Sequence, residues 1–216
     1  MRVRAVIFDL DGTLIDSAPS LHRAAASMMT ALGHPEPDLA TVTGFVGDGV
    51  AKLVERCLDW AGADPDAAAL PVFRAIYDAD PLTGTRVFDG VPEALSDLSA
   101  RGLLLGLCTN KPEAPTRTIL KAFHLGPFAA LAGGDTLPHR KPSPEPLLHV
   151  IEALGMDIGE VAYVGDSVTD WRTAVAADVD YLHLDGGYPN GDLNALDRDS
   201  RFADVASLAR ALADRS

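Results

Sequence analysis

Ala5-Val6-Ile7-Phe8-Asp9-Leu10-Asp11-Gly12-Thr13-Leu14 is the stretch on which the reading of the whole chain turns. Four apolar residues run into two aspartates two positions apart, followed by Gly-Thr. A short continuous apolar run bounded by a turn signal reads as a fully buried strand. Residues i and i+2 of a strand point to the same side. If extension continues past Phe8, Asp9 and Asp11 crowd two carboxylates at one strand end. Like charges that close are costly unless a cation or a shared proton compensates. Gly12 lets the chain leave the strand in a conformation that other residues avoid. Asp-Gly alone is a common turn signal, but the full D-x-D-G-T string arises by accident on the order of once in several hundred chains of this length. The stretch therefore reads as a reactive site at the C-terminal edge of a buried strand.

Outward from this strand, Asp16 to Leu32 has helical spacing, with Ser17 or Asp16 as N-cap and Pro19 in the first turn. Residues 38–80 continue as helical pieces, interrupted by Gly44-Phe45-Val46-Gly47-Asp48-Gly49, and no strand is predicted between Ile15 and Pro81. After Pro81 the pattern changes. Helices at Val91–Ala100, Lys111–Phe123, Ser143–Leu154 and Ser167–Ala177 alternate with apolar runs at 103–108, 129–132, 161–164 and 181–184. Such alternation specifies a parallel sheet flanked by helices. The expected architecture is α/β: a Rossmann-like parallel-sheet core from residues 1–15 and 82–216, with residues 16–81 inserted after the first strand as a helical cap.

Ligands in open α/β sheets bind beyond the carboxyl ends of the strands. After the first apolar run stand Asp9 and Asp11; after the second, Thr109 and Asn110. The third is followed by a loop containing Lys141, and the fourth by Gly165-Asp166-Ser167-Val168-Thr169-Asp170. Individually, Thr109 can be read as a helix N-cap, Lys141 as a solvated lysine, and Asp166 and Asp170 as helix-capping acids. Together, carboxylates, a hydroxyl, an amide and a lysine on one sheet edge form a hard-cation site beside an anion site. Mg²⁺ takes oxygen ligands and is commonly shared with a substrate phosphate.

The 216 residues suffice for one domain, or one domain with a small insert. Hydrophobic residues make up 47% and charged residues 23%, as in soluble globular proteins. No run reaches the length of a membrane span, and the apolar stretch at residues 5–8 is too short for a signal-peptide core, so a cytoplasmic location is expected. Eighteen basic against 31 acidic residues give a net charge of −13, which argues against nucleic-acid or membrane partners. An anionic substrate must then be drawn in by a local cation. Cys57 and Cys108 fit no metal spacing, and Cys108 reads as a small core residue.

With these motifs in order, the chain resembles the haloacid dehalogenase superfamily of phosphatases. Asp9-Leu10-Asp11-Gly12-Thr13 is similar to its first motif, Thr109 to the second, Lys141 to the third, and Gly165-Asp166-Ser167-x-x-Asp170 to the fourth. A closer resemblance is to bacterial phosphoglycolate phosphatases, carried by Asp16-Ser17-Ala18-Pro19, Thr109-Asn110-Lys111-Pro112-Glu113, and the segment from Gly133 to Pro142. Val46-Gly47-Asp48-Gly49 resembles the V/I-G-N-G segment of their caps, with Asp48 in place of the usual Asn. A substrate-facing Asp48 would add a negative charge against an anionic ester.

The resemblance implies a Mg²⁺-dependent phosphatase acting on a small phosphorylated metabolite, with 2-phosphoglycolate as lead substrate. It implies Asp9 as nucleophile, forming an aspartyl-phosphate, and Asp11 as general acid and base. Asp9, the Asp11 backbone carbonyl and Asp166 would hold the metal, with Asp170 behind them. Thr109, Asn110 and Lys141 would bind the phosphoryl group. Gly47, Asp48 and Gly49 would line the cap side, and Lys52 or Arg56 would meet a substrate carboxylate. The alternatives are another phosphatase or a phosphomutase of the same superfamily acting on a sugar phosphate, or a non-catalytic receiver-like module.

Overall fold

A computed structural model of the chain describes residues 3–188, 191, 193 and 196–213. The element order is β1 (Ala5–Phe8), β2 (Ile15–Asp16), α1 (Ala18–Ala31), α2 (Leu39–Thr43), α3 (Val50–Trp60), α4 (Ala69–Ala79), β3 (Arg86–Val87), α5 (Val91–Ala100), β4 (Leu104–Cys108), α6 (Glu113–Ala122), β5 (Ala130–Ala132), α7 (Glu145–Leu154), β6 (Val161–Gly165), α8 (Val168–Ala177), β7 (Asp180–Leu184), β8 (Arg201–Phe202) and α9 (Val205–Ala213). Six strands form one sheet in the order β5-β4-β1-β6-β7-β8, and every pairing in it is parallel.

β1 lies inside the sheet, with Ala5 opposite both Leu104 and Val161. All four of its residues are fully buried. Alternation sends Val6 and Phe8 to the face packed by α5 and α9, where they meet Leu95, Leu98 and Leu208. Ala5 and Ile7 go to the other face, against Leu147 and Val150 of α7 and Ala174 of α8. Helices thus cover both faces, which is why the strand is apolar throughout instead of alternating. Only the C-terminal edge is left open for polar side chains.

The helices between β2 and β3 have a hydrophobic cluster of their own, built from Leu21, Met28, Met29, Leu53, Val54, Phe73 and Tyr77 among others. Phe73 and Tyr77 stack at a centroid distance of 5.8 Å. β2 and β3 pair antiparallel, Ile15 with Val87 and Asp16 with Arg86, at the point where the chain enters and leaves this helical layer. That ribbon escapes sequence reading because two-residue strands have no measurable period.

Other expectations need correction at element ends. The residue at the α1 N-cap position is Ser17, yet its hydroxyl makes no cap. It donates instead to Asp11 Oδ1 at 2.5 Å. The N-cap of α8 is Ser167, paired with Asp170 in a reciprocal capping box. α6 begins at Glu113, after Pro112, two residues later than predicted, and Thr109 is not its cap. Cys57 and Cys108 are buried and unbonded, and burial pushes the Cys108 thiol up to about 12. No helix among the described residues is long and apolar enough to cross a membrane.

Candidate active site

The strand order places the ends of β5, β4, β1 and β6 side by side, so four loops distant in sequence supply one site. Asp9 leaves β1 with its amide bonded to Val164 O at 2.8 Å. Its carboxylate is buried, and Oδ1 accepts from Lys141 Nζ at 2.8 Å. Lys141 uses its other two protons on Asp170 Oδ1 at 2.6 Å and the Tyr163 hydroxyl oxygen at 2.9 Å. Tyr163 in turn donates to Asp170 Oδ1 at 2.7 Å. The ammonium has three donors and all three are met.

Asp166 is held from both sides. Oδ1 accepts from Thr13 Oγ1 at 2.8 Å, and Oδ2 from the Tyr188 amide at 2.7 Å. Gly12 permits this approach: with φ at +88°, a Cβ there would sit 2.2 Å from Asp166 Oδ2. Carboxylate oxygens of Asp9, Asp166 and Asp170 lie within 4.8 Å of one another, all buried. A carboxylate offers about four lone-pair positions. Those of Asp170 are taken by Lys141, Tyr163, and the amide and hydroxyl of Ser167. Asp9 and Asp166 keep open positions among the described residues.

The electrostatics agree with an incomplete cluster. Burial pushes the Asp9 carboxyl up to about 7, against the pull of Lys141. Burial, together with the charges of Asp170 and Asp9, pushes Asp166 well above the carboxylate range. Burial acts against ionisation of Asp170 too, but Lys141 and the bonds from Ser167 and Tyr163 overcome it and hold that group low. Three buried acids against one lysine call for more positive charge. An all-oxygen donor set suits a hard cation. The residues therefore fit a metal ion, through Asp9 and Asp166.

Asp11 goes elsewhere. Its carboxylate is bonded by Ser17 and by Lys111, whose Nζ lies 2.9 Å from Oδ1 and 3.1 Å from Oδ2. The crowding of two acids expected from the sequence is thus relieved by two separate ammonium groups, one for each acid. Lys111 falls in sequence at the start of a predicted helix, where a lone lysine reads as solvated; in the fold its side chain is 1% exposed. Tyr77, Tyr163 and Tyr188 are likewise invisible as site residues in the sequence.

Thr109 is buried, and its hydroxyl oxygen accepts from the Lys111 amide at 3.3 Å, which leaves its hydrogen to be donated. The Asn110 side-chain amide donates to Gly47 O and to Lys141 O, each at 3.0 Å, joining the helical layer to the sheet edge. Asp9, Asp11, Gly47, Gly49, Thr109 and Lys111 line a cavity between the two. Asp48 faces away from an anionic role: its carboxylate is paired with Arg56 and accepts from Thr169 Oγ1 at 2.7 Å. Lys52 is exposed, pairs with Glu55 and lies on a separate outer groove with His139 and Arg140. The structure therefore does not bring Lys52 to the cavity beside Asp9, and Arg56 is already engaged.

Residues 3–178 match the family model described as haloacid dehalogenase-like hydrolase. A phosphoglycolate phosphatase of Cereibacter sphaeroides is 43% identical over 203 residues, covering 92% of each chain. One from Rhodospirillum rubrum is 41% identical over 214 residues, 95% of this chain and 89% of that one. Among solved structures, a predicted phosphoglycolate phosphatase from Haemophilus somnus superposes with a TM-score of 0.89 at 29% identity, covering 98% of each chain. With this match spanning the sheet, the helical layer and all four strand ends, the chain belongs to the haloacid dehalogenase-like hydrolases.

Proposed function

We propose that the chain is a Mg²⁺-dependent phosphatase of the cytoplasm that hydrolyses a small phosphate monoester, 2-phosphoglycolate foremost, with the layer α1–α4 acting as its cap. The observation that carries this is the Asp9 carboxylate. One oxygen is fixed by Lys141, while the other accepts no hydrogen bond among the described residues, beside a cavity lined by Thr109, Asn110 and Asp11. In this role the open Asp9 oxygen attacks phosphorus; the new P–O bond forms as the ester P–O bond breaks. Asp11 gives its proton to the departing alkoxide, then takes one from the water that hydrolyses the aspartyl-phosphate. Lys141 offsets the charge of Asp9 as it approaches an anion, and Thr109 with the Asn110 backbone amide orients the phosphoryl oxygens. Mg²⁺, held by Asp9, Asp166 and the Asp11 backbone carbonyl, would supply charge neutralisation at the phosphoryl group.

The names of the relatives support phosphoglycolate in particular. The test is kcat/KM across small phosphate esters with Mg²⁺ and after chelation. We expect 2-phosphoglycolate to lead, with activity lost on chelation and restored by Mg²⁺. Comparable rates on sugar phosphates would overturn the substrate assignment.

A further inference from the structure

Lys111 has no task in the scheme above beyond gripping Asp11. Its ammonium is buried and carries three protons, and the acceptors it has among the described residues are the two oxygens of that one carboxylate. It also lies over the ring of Tyr77, 4.9 Å from the centroid. The Tyr77 hydroxyl is buried beside this ammonium and has no hydrogen-bond partner among the described residues. Lys111 cannot take its proton, because an ammonium has no lone pair. Two buried donors thus lie side by side, Lys111 in the wall of the cavity and Tyr77 packed against it. A buried donor without an acceptor is costly, and more so in a low-dielectric pocket.

The missing piece is a small group that only accepts, and a carboxylate is one. Its place follows from Asp11. An acid that protonates the ester oxygen must touch it, and the cation that grips this acid stands one contact farther on. A carboxylate on the carbon that bears the ester oxygen spans that gap. Lys52 and Arg56 compete poorly, since Lys52 lies on the outer groove and Arg56 is paired with Asp48.

Building on the phosphatase reading, we propose that Lys111 and Tyr77 form the subsite for a leaving-group carboxylate, and so select phosphate esters of small 2-hydroxy acids. Lys111 comes from the sheet edge and Tyr77 from α4. The subsite is therefore complete only with the helical layer in place.

The test is a ratio: kcat/KM for 2-phosphoglycolate over kcat/KM for ethyl phosphate, which has the same carbon count and no carboxylate. The wild-type ratio should be about 100 or more. Lys111→Met should lower both rate constants through Asp11, but should lower the ratio by roughly 10- to 100-fold, as expected for a hydrogen bond to a charged group. Tyr77→Phe removes only an unpaired hydroxyl, so folding is not at stake. It should lower the ratio by about 3- to 10-fold, through KM. Ratios within twofold of wild type in both variants would overturn the subsite and leave the phosphatase reading standing. A wild-type ratio near one would defeat the phosphoglycolate reading itself.

Discussion

Two lysines are buried at the same edge of the sheet, and they sit in opposite circumstances. Around Lys141 every donor is matched: three N–H bonds go to Asp9, Asp170 and Tyr163. The surroundings are sheet and α8, with Asp170 locked by the α8 capping box. Around Lys111 one carboxylate serves two donors and a neighbouring hydroxyl has no acceptor. Its surroundings belong half to the sheet edge and half to the helical layer. A lysine with all its donors matched fixes geometry, as the proposed nucleophile of a slow reaction requires. An unsaturated one leaves donors over for a ligand. The first region reads as the place of reaction and the second as the place of choice.

The contrast is most exposed to failure at Asp9. Asp9→Asn should lower kcat by at least about 10⁴-fold, as losing a covalent nucleophile does elsewhere, with near-wild-type unfolding; turnover within tenfold of wild type would remove the reaction from the Lys141 side. Next is stability. Lys141→Met strands Asp9 and Asp170 without their cation and should cost about 3–5 kcal/mol, as breaking a buried ion pair does. Lys111→Met should cost less, because the Asp11 side chain is 13% exposed and can recruit water. Urea unfolding of the two variants measures both, and equal losses would erase the distinction. The smallest effect is expected at Asp48. Its carboxylate is engaged by Arg56 and Thr169, so Asp48→Asn should change kcat/KM for 2-phosphoglycolate by no more than about fivefold, the worth of a partly exposed pair near 1 kcal/mol. A larger change would return Asp48 to the specificity site.

The same contrast explains what could be read from the sequence. Asp9, Thr109, Lys141 and Asp166 were legible because each follows an apolar run, and a parallel sheet collects such positions at one edge. The α/β alternation gave the architecture for the same reason. Lys111 was not legible, since its burial depends on Asp11, a hundred residues away, and on a tyrosine in α4. Neither dependence has a local pattern. Ser17 stands at the N-cap position that the sequence predicts, but Asp11 competes for its hydroxyl and wins. The engagement of Asp48 is not legible either, since partners as distant as Thr169 leave no trace in its own segment.

Ser17 carries one more consequence. Asp11 is anchored by a hydroxyl at the threshold of α1 and by an ammonium from the sheet edge. The Ser17 and Ala18 amides rest on the Tyr188 hydroxyl oxygen at 2.8 and 2.9 Å, while the Tyr188 amide holds Asp166. Any swing of the helices about this threshold would pull on Asp11, the proposed proton carrier, and on the loop that steadies Asp166 beside Asp9. The helical layer and the proposed reacting groups share this anchor, so a change in one is transmitted to the other.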